Sequence, residues 1–429
     1  MSAHRPGRVA VVGAGVSGLT AAHLLQARDE VTVFEALDRL GGHAHTHDVR
    51  TADGRTVAVD SGFIVHNERT YPNLLRLFGE LGVSTQDTEM SMSVRCDGCG
   101  LEYAGAKRLG GLFAQRRNAV RPSYLSMLRQ VVRFHREANA LLDSDSTVDP
   151  TGGDEWTLGD FLRAGRYSEY FVDHFALPLV SAVWSSDRDS SRRYPARYLF
   201  EFLRHHGMLS VQGSPTWRTV VGGSREYVNR IAERLTAVRS GSPVRSVRRT
   251  AHGVEIRDGS DTVHEADRAV LACHADQALA LLTDATPAEQ KVLGAFRYSE
   301  NDTWLHTDPA PLPVTRRARA SWNYLKPSCT SDPGRVLVSY DMNRLMRLDE
   351  PRDYVVTLNA TDRVDPSRVL ARMRYRHPLY TPDSVAMQRK LPELGDDRIQ
   401  FAGAYHGWGF HEDGCASGVR AAEAFGVGW

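Results

Sequence analysis

Net charge is almost absent from this 429-residue sequence: 53 Lys and Arg stand against 52 Asp and Glu, leaving +1 at pH 7 with His neutral. That balance excludes the electrostatic footprint of a nucleic-acid binder or of a partner for any strongly charged surface. Cysteine is scarce as well. The five residues Cys96, Cys99, Cys273, Cys329 and Cys415 form an odd, scattered set, which excludes a secreted disulfide framework and fits a reducing compartment. Cys96-Asp97-Gly98-Cys99 has the spacing of half a zinc ribbon, but no second pair follows it. A β-turn between two strands is the expected reading, and no metal is expected. No apolar run approaches the roughly 20 residues that span a bilayer. Met1 to Arg8 lead directly into a strand pattern with no secretory leader. The expectation is a cytoplasmic protein without a transmembrane segment, for which peripheral contact with a membrane surface stays open.

What is present begins at Val9-Ala10-Val11-Val12, an apolar run of strand character, followed by Gly13-Ala14-Gly15-Val16-Ser17-Gly18 and then by Leu19 to Leu25, which reads as a helix. The Gly-x-Gly-x-x-Gly spacing has a physical basis. Gly13 permits the tight turn, Gly15 lets a pyrophosphate approach the backbone, and Gly18 allows close packing of helix on strand. Free N–H groups at the helix start, with about half a positive charge from the macrodipole, favour the anionic phosphates. A second strand, Val31 to Phe34, ends in Glu35, close to the spacing of about 20 residues expected for an acid that binds ribose hydroxyls. Arg39 and the paired glycines Gly41-Gly42 follow, offering a phosphate-binding cation and another close backbone approach.

At this length two domains are the prior expectation. Pro72 to Leu81 carries Leu74, Leu75, Phe78 and Leu81 at helical spacing. From about Ser84 to Gln212 short strands around Met90 to Tyr103 give way to helical patterns over Pro122–Leu142, Leu158–Ala164, Ser168–Val183 and Pro195–Met208. The acids of this stretch gather in a polar loop around Asp143, Asp145 and Asp149. His43, His45 and His47 alternate, so a strand places all three on one face; no recognised metal-ligand spacing surrounds them, and neutral histidines beside a ligand are the default. Trp304, Trp322, Asn323, Tyr324, Tyr340, Asn343 and Tyr354 mark aromatic-rich strands that either line a pocket or simply form sheet face. Near the end, Ile399 to Ala404 reads as a strand, and the small residues after Asp413 permit a tightly packed helix that Asp413 can cap.

Together, the glycine turn, the acid after the second strand, Arg39-x-Gly41-Gly42, the Gly222-Gly223 turn and the Phe401-x-Gly403 … Ser417-Gly418-x-x-Ala421-Ala422 ending resemble the signature of the superfamily of flavin amine oxidases, protoporphyrinogen oxidase and phytoene desaturases. Asn67 to Pro72, Ala114 to Asn118 and Gly409 to Gly414 resemble a bacterial branch of it associated with cyclopropane-fatty-acid-synthase-type enzymes. The resemblance implies an α/β fold: a Rossmann-type, glutathione-reductase-like FAD-binding domain (residues 1–83, 213–275 and 396–429) with an inserted α+β substrate domain (residues 84–212 and 276–395). It implies a cofactor-binding set of Gly13, Gly15, Val16, Ser17, Gly18, Glu35, Ala36, Arg39, Gly41, Gly42, His43, Gly62, Phe63, Val244, Gly403, Ala404, Glu412 and Asp413. His43 stands where the family usually has Arg, and Ala404 where it has a polar residue. Covalent members carry a Cys shortly before the last strand; residues 375–398 hold none, so FAD is expected to be non-covalent.

The expected activity is hydride transfer from an apolar substrate, such as an unsaturated or modified fatty acyl chain, to flavin N5. The alternatives are a flavin amine oxidase and a non-catalytic flavin- or NAD-binding protein. The expected partner is a small-molecule or lipid substrate. His411, His406, Tyr405 and Glu412 surround the last turn and are the candidate catalytic groups. A cationic His411 would act as acid or base near neutral pH and would repel an ammonium substrate.

Overall fold

The computed structural model describes residues 6–105, 108–144, 156–210, 214–329, 334–359 and 361–429. Beyond Ser144, the expected polar loop, with Asp145 and Asp149, lies outside the described residues.

Apolar runs built from β-branched residues favour strands buried on both faces, as in parallel sheets. Five such runs form one parallel sheet in the order Ala237–Arg239, Glu30–Phe34, Arg8–Val12, Arg268–Leu271, Ile399–Phe401. Side-chain alternation divides the first strand between two cores. Val9 and Val11 join the helices Val16–Leu25 and His411–Ala424, whereas Ala10 and Val12 join an antiparallel sheet of Val244–Arg249, Val254–Asp258 and Val263–Ala266. The two helices cross closely because the contact is made of small residues: a Cβ at Gly418 would overlap the Ser17 carbonyl, and one at Gly414 would lie 2.7 Å from Val16.

A second body is built on a seven-stranded sheet: Val369–Leu379, Arg297–His306, Val355–Leu358, Val338–Asp341, Trp322–Lys326, Met92–Cys96, Leu101–Gly105 in spatial order. The helical insert packs on it, with helix Pro122–Asp143 contributing Tyr124, Met127, Phe134 and Ala138 to an aromatic-rich core. Pro122 at the first turn, where a missing N–H costs nothing, starts that helix as expected.

One expected element differs in detail. The helix expected over Ser168–Val183 is Glu169–Phe171 and Leu177–Trp184 joined by a π-helical turn, Val172–Ala176. The strands Val263–Ala266 and Arg268–Leu271 are separated at Asp267, whose carboxylate accepts the Arg8 N–H at 2.7 Å, and they serve different sheets. The strand Thr56–Asp60 ends in a buried carboxylate that accepts the Ser224 N–H and hydroxyl, at 3.0 and 2.8 Å, and the Thr46 hydroxyl. Among the described residues no helix is long and apolar enough to cross a membrane.

Candidate functional site

The first strand delivers the chain into a turn that only glycine tolerates. Gly13 has φ +103°, and a Cβ there would lie 2.6 Å from the Ala272 carbonyl. Its N–H donates to Phe34 at 2.8 Å, which ties the turn to the second strand. Glu35 then reaches back: one carboxylate oxygen accepts the Ala14 N–H at 2.8 Å and the other the Leu37 N–H at 2.9 Å. Each oxygen keeps lone-pair capacity for a further donor. The Gly41-Gly42 turn lies against this one, with Gly15 and Gly41 bridged and a Cβ at Gly42 3.1 Å from the Gly15 Cα. Arg39 donates to the Gly42 carbonyl at 2.9 Å and braces it.

These turns open on a cavity of about 780 Å³. Of the expected cofactor residues, Gly13, Gly15, Val16, Ser17, Glu35, Ala36, Arg39, Gly42, His43, Gly62, Phe63, Val244, Gly403 and Ala404 line it. Gly18 and Gly41 stand behind the lining. A Cβ at Gly18 would overlap the Gly13 carbonyl, and Gly41 adopts φ +104°. A Cβ at Gly15 would meet no atom within 4 Å, so the backbone there is open to the cavity. His43 Nε2 and His274 Nδ1 are buried without a protein partner, on residues that line the same cavity. A glycine cradle, a helix N-terminus, a carboxylate with spare acceptor capacity and orphaned polar atoms are what a dinucleotide requires. The residues present fit FAD.

Glu412 and Asp413 are placed differently from the expectation. Neither lines the large cavity. Glu412 accepts the Asn73 N–H at 3.0 Å, its side-chain amide at 2.7 Å and the Leu74 N–H at 3.0 Å, satisfying the start of helix Pro72–Leu81. The last helix begins at His411, so Asp413 sits inside its first turn and accepts the Phe410 N–H at 2.8 Å. Burial pushes the Asp413 carboxyl up to about 7. His406 is also absent from the lining, and burial, then Arg420, lowers it to about 3.

Tyr405 and His411 do line the cavity. The Tyr405 hydroxyl is buried without a protein partner, and burial holds its pKa well above the usual value, so it stays a phenol. His411 stacks on Phe63 with ring centroids 3.8 Å apart and lies 2.8 Å from the Tyr227 hydroxyl through Nε2. Burial, with His43 and His66 nearby, holds its pKa well below 6.5. The imidazole is therefore neutral at pH 7. The expectation of a cationic His411, with its repulsion of ammonium and its acid–base role near neutrality, is corrected by that burial.

Of the alternating histidines, His45 and His47 stay ring to ring at 4.0 Å, and His43 shares Tyr375 with His45. His43 packs against Tyr375 and His377 at 4.9 and 5.4 Å, while His45 reaches the Tyr375 hydroxyl and His47 the Ser61 hydroxyl. Burial lowers His43 to about 4 and His377 to about 3. Tyr375, His377, His274, Trp184 and Phe202 line the cavity without having been singled out. His377 and Pro378 belong to the strand Val369–Leu379, which brings that wall to the cavity. Of the aromatic-strand set only Trp322 and Tyr340 reach the cavity; Trp304 instead lies beneath the Arg372 guanidinium at 4.7 Å, and Tyr354 is core.

Comparison with known proteins follows the same outline. The family model described as flavin containing amine oxidoreductase matches residues 16–425. Amine oxidase [flavin-containing] A of Canis lupus familiaris is 27% identical over 241 residues, 53% of this chain and 42% of that protein. The alignment thus spans under half the length of that curated relative. Among solved structures, cyclohexylamine oxidase from Brevibacterium oxydans IH-35A superposes with TM-score 0.69 at 17% identity, covering 98% of this chain and 99% of the other. A CLA-producing fatty acid isomerase from P. acnes gives TM-score 0.67 at 16% identity over 97% and 98%. At such identities the likeness establishes the fold.

Proposed function

Because the chain belongs to the family of flavin-containing amine oxidoreductases, we propose that it is an FAD-dependent oxidoreductase that takes hydride from an apolar, acyl-chain-like substrate. When bound, FAD supplies the hydride acceptor at N5. The chain's own residues do the rest. The N–H groups at the start of helix Val16–Leu25 and the glycine turns would hold the pyrophosphate, and Glu35 would hold ribose hydroxyls. Val244 would face the adenine side, while Gly42, His43, Gly62 and Ala404 would border the remainder.

The observation that carries the substrate class is the lining of the cavity. Its side chains include Phe63, Met90, Val183, Trp184, Phe202, Met208, Trp217, Trp322, Leu358 and Phe410, and among the described residues Glu35 is its one carboxylate. An ammonium group would find no counter-ion beyond the acid reserved for ribose. Apolar walls reward each buried CH₂ with about 0.8 kcal/mol, exclude water and align a chain for reaction. A smaller cleft of about 330 Å³ shares Tyr71, Phe202, His206 and Phe410 with this cavity and adds Arg69, Arg204 and His205 together with Glu412 and Asp413, Arg204 being paired with Asp143 at 2.7 Å.

Oxidation of an amine is the second reading, and one observation favours it: His411 is neutral and stacked on Phe63, so it does not repel an ammonium substrate. Anaerobic titration of the yellow holoprotein decides between the two. Bleaching by unsaturated or branched acyl lipids is expected, with none by simple amines. Fast bleaching by amines and none by acyl lipids would replace the first reading with the second. A spectrum unchanged by either class would leave a flavin-binding protein without turnover.

A further inference from the structure

Half a zinc motif was visible in the sequence, and the fold supplies the other half. Cys96 ends the strand Met92–Cys96, and Cys99 closes the turn that leads into Leu101–Gly105. The parallel neighbour Trp322–Lys326 pairs Lys326 with Cys96, and its onward loop carries Cys329 to the same place. From the opposite side, the π-helical turn Val172–Ala176 contributes His174. Such turns insert an extra residue and recur at functional sites.

The four ligand atoms lie within 4.8 Å of one another. Cys96 Sγ and Cys329 Sγ are 3.7 Å apart, and Cys99 Sγ lies 3.6 Å from His174 Nε2. A tetrahedron with Zn–S of about 2.3 Å and Zn–N of about 2.0–2.1 Å has S···S edges of about 3.8 Å and S···N edges of about 3.6 Å. The second pair of groups is equally telling. His174 Nδ1 lies 3.1 Å from the Tyr170 carbonyl, which accepts the Nδ1–H and leaves Nε2 free as a ligand, while the Tyr170 ring stacks on the imidazole at 4.3 Å. Gly100 has φ +66°, and a Cβ at Gly98 would lie 2.7 Å from the Cys329 nitrogen, so glycine lets the turn close over the Cys329 backbone.

We propose that Cys96, Cys99, His174 and Cys329 bind one Zn²⁺ in a closed, tetrahedral structural site. Binding forms three Zn–S bonds and one Zn–N bond, and three thiol protons pass to solvent; no electrons move. Four protein ligands leave no position for water or substrate, and none of the four residues lines the flavin cavity. The metal pins the helical insert to the edge of the seven-stranded sheet. The assignment replaces the expectation of a metal-free turn, because two of the ligands lie far from the Cys-x-x-Cys pair in sequence.

The test is metal analysis of the flavin-loaded full chain, expressed with zinc in the medium and passed over a chelating resin. About one zinc per chain is expected, falling at least fivefold in Cys329→Ser and in His174→Ala. Because those variants can fail to fold, the wild-type chain is also grown in cobalt. Tetrahedral thiolate-bound Co²⁺ should then give d–d bands to the red of the flavin absorption. A folded, flavin-bound wild type holding less than about a tenth of an equivalent of zinc and showing no such bands would overturn the site. So would a Cys96–Cys329 disulfide found in the freshly purified protein.

Discussion

Acid should unfold this protein through histidines that are buried neutral, and His66 allows the effect to be worked through. It lies in the short strand Val65–Asn67, fully buried, with neither ring nitrogen partnered and the ring edge-on to Phe78 at 5.3 Å. Burial first, and Arg218 second, lower its pKa to about 4. In the unfolded chain the group returns to about 6.5. Between those values the unfolded state holds a proton that the native state refuses, so stability falls as pH falls. The contribution is intact above pH 6.5 and stops changing below about 4. At pH 5 the loss for one such group is RT ln[(1+10^1.5)/(1+10^−1)], about 2 kcal/mol. His206 and His306, both buried and lowered to about 4, act in the same direction. Against a total of about 5–15 kcal/mol for a typical domain, the three together are a large fraction. The assay is urea unfolding of FAD-saturated protein at pH 7.5, 6.5, 5.5 and 5.0, for wild type and His66→Leu. The variant should lose about 2 kcal/mol less than wild type across that range. Identical pH dependence in the two proteins would refute the reasoning, since it would mean that His66 contributes no difference in bound protons.

Gly42→Val places a branched side chain at φ +58°, against the Gly15 Cα; flavin occupancy, read from the ratio of visible to protein absorbance, should fall about tenfold or more. Glu35→Gln keeps the shape that holds the Ala14 and Leu37 N–H groups but removes the charge, so the FAD Kd should rise about ten- to a hundredfold by titration; an unchanged Kd would remove Glu35 from the ribose site. Glu412→Ala strips three hydrogen bonds from the start of helix Pro72–Leu81 and should cost about 1–3 kcal/mol in unfolding while turnover per bound flavin holds; lost turnover at unchanged stability would restore a chemical role. Acid precipitation should release FAD into the supernatant. Cys273, the one cysteine among the described residues lining the cavity, has its thiol pushed up to about 12 by burial and is a poor nucleophile.

The features legible in the sequence are those whose cause is local. Gly13, Gly15 and Gly18 are set by steric limits within one turn, and Glu35 by the length of one strand–helix–strand unit. Pro72 and Pro122 mark helix starts through their own missing N–H. What was not legible depends on the partner across the fold. Glu412 read as a flavin-site acid because its acceptor role is filled by Asn73 and Leu74, more than three hundred residues earlier. His411 read as a cation because only packing on Phe63 and Tyr227 reveals its desolvation. The cavity wall at Tyr375 and His377 follows from the order of strands in the second sheet, which local pattern does not encode. The same holds for His174 and Cys329, which stand alone in sequence and meet the Cys-x-x-Cys pair only in space.

The sharing of one sheet among distant segments has a consequence for biosynthesis. The strand Arg8–Val12 pairs with Arg268–Leu271, which in turn pairs with Ile399–Phe401, and the helix Val16–Leu25 is covered by His411–Ala424. At about 5–20 residues per second, a ribosome needs roughly 20–80 s between making the first of these strands and the last. Throughout that interval the earliest apolar strand and its helix lack their final cover, and the nucleotide cradle lacks Gly403 and Ala404. A nascent chain halted near residue 390 should therefore bind a chaperone and not FAD, and cofactor capture becomes an event that follows translation.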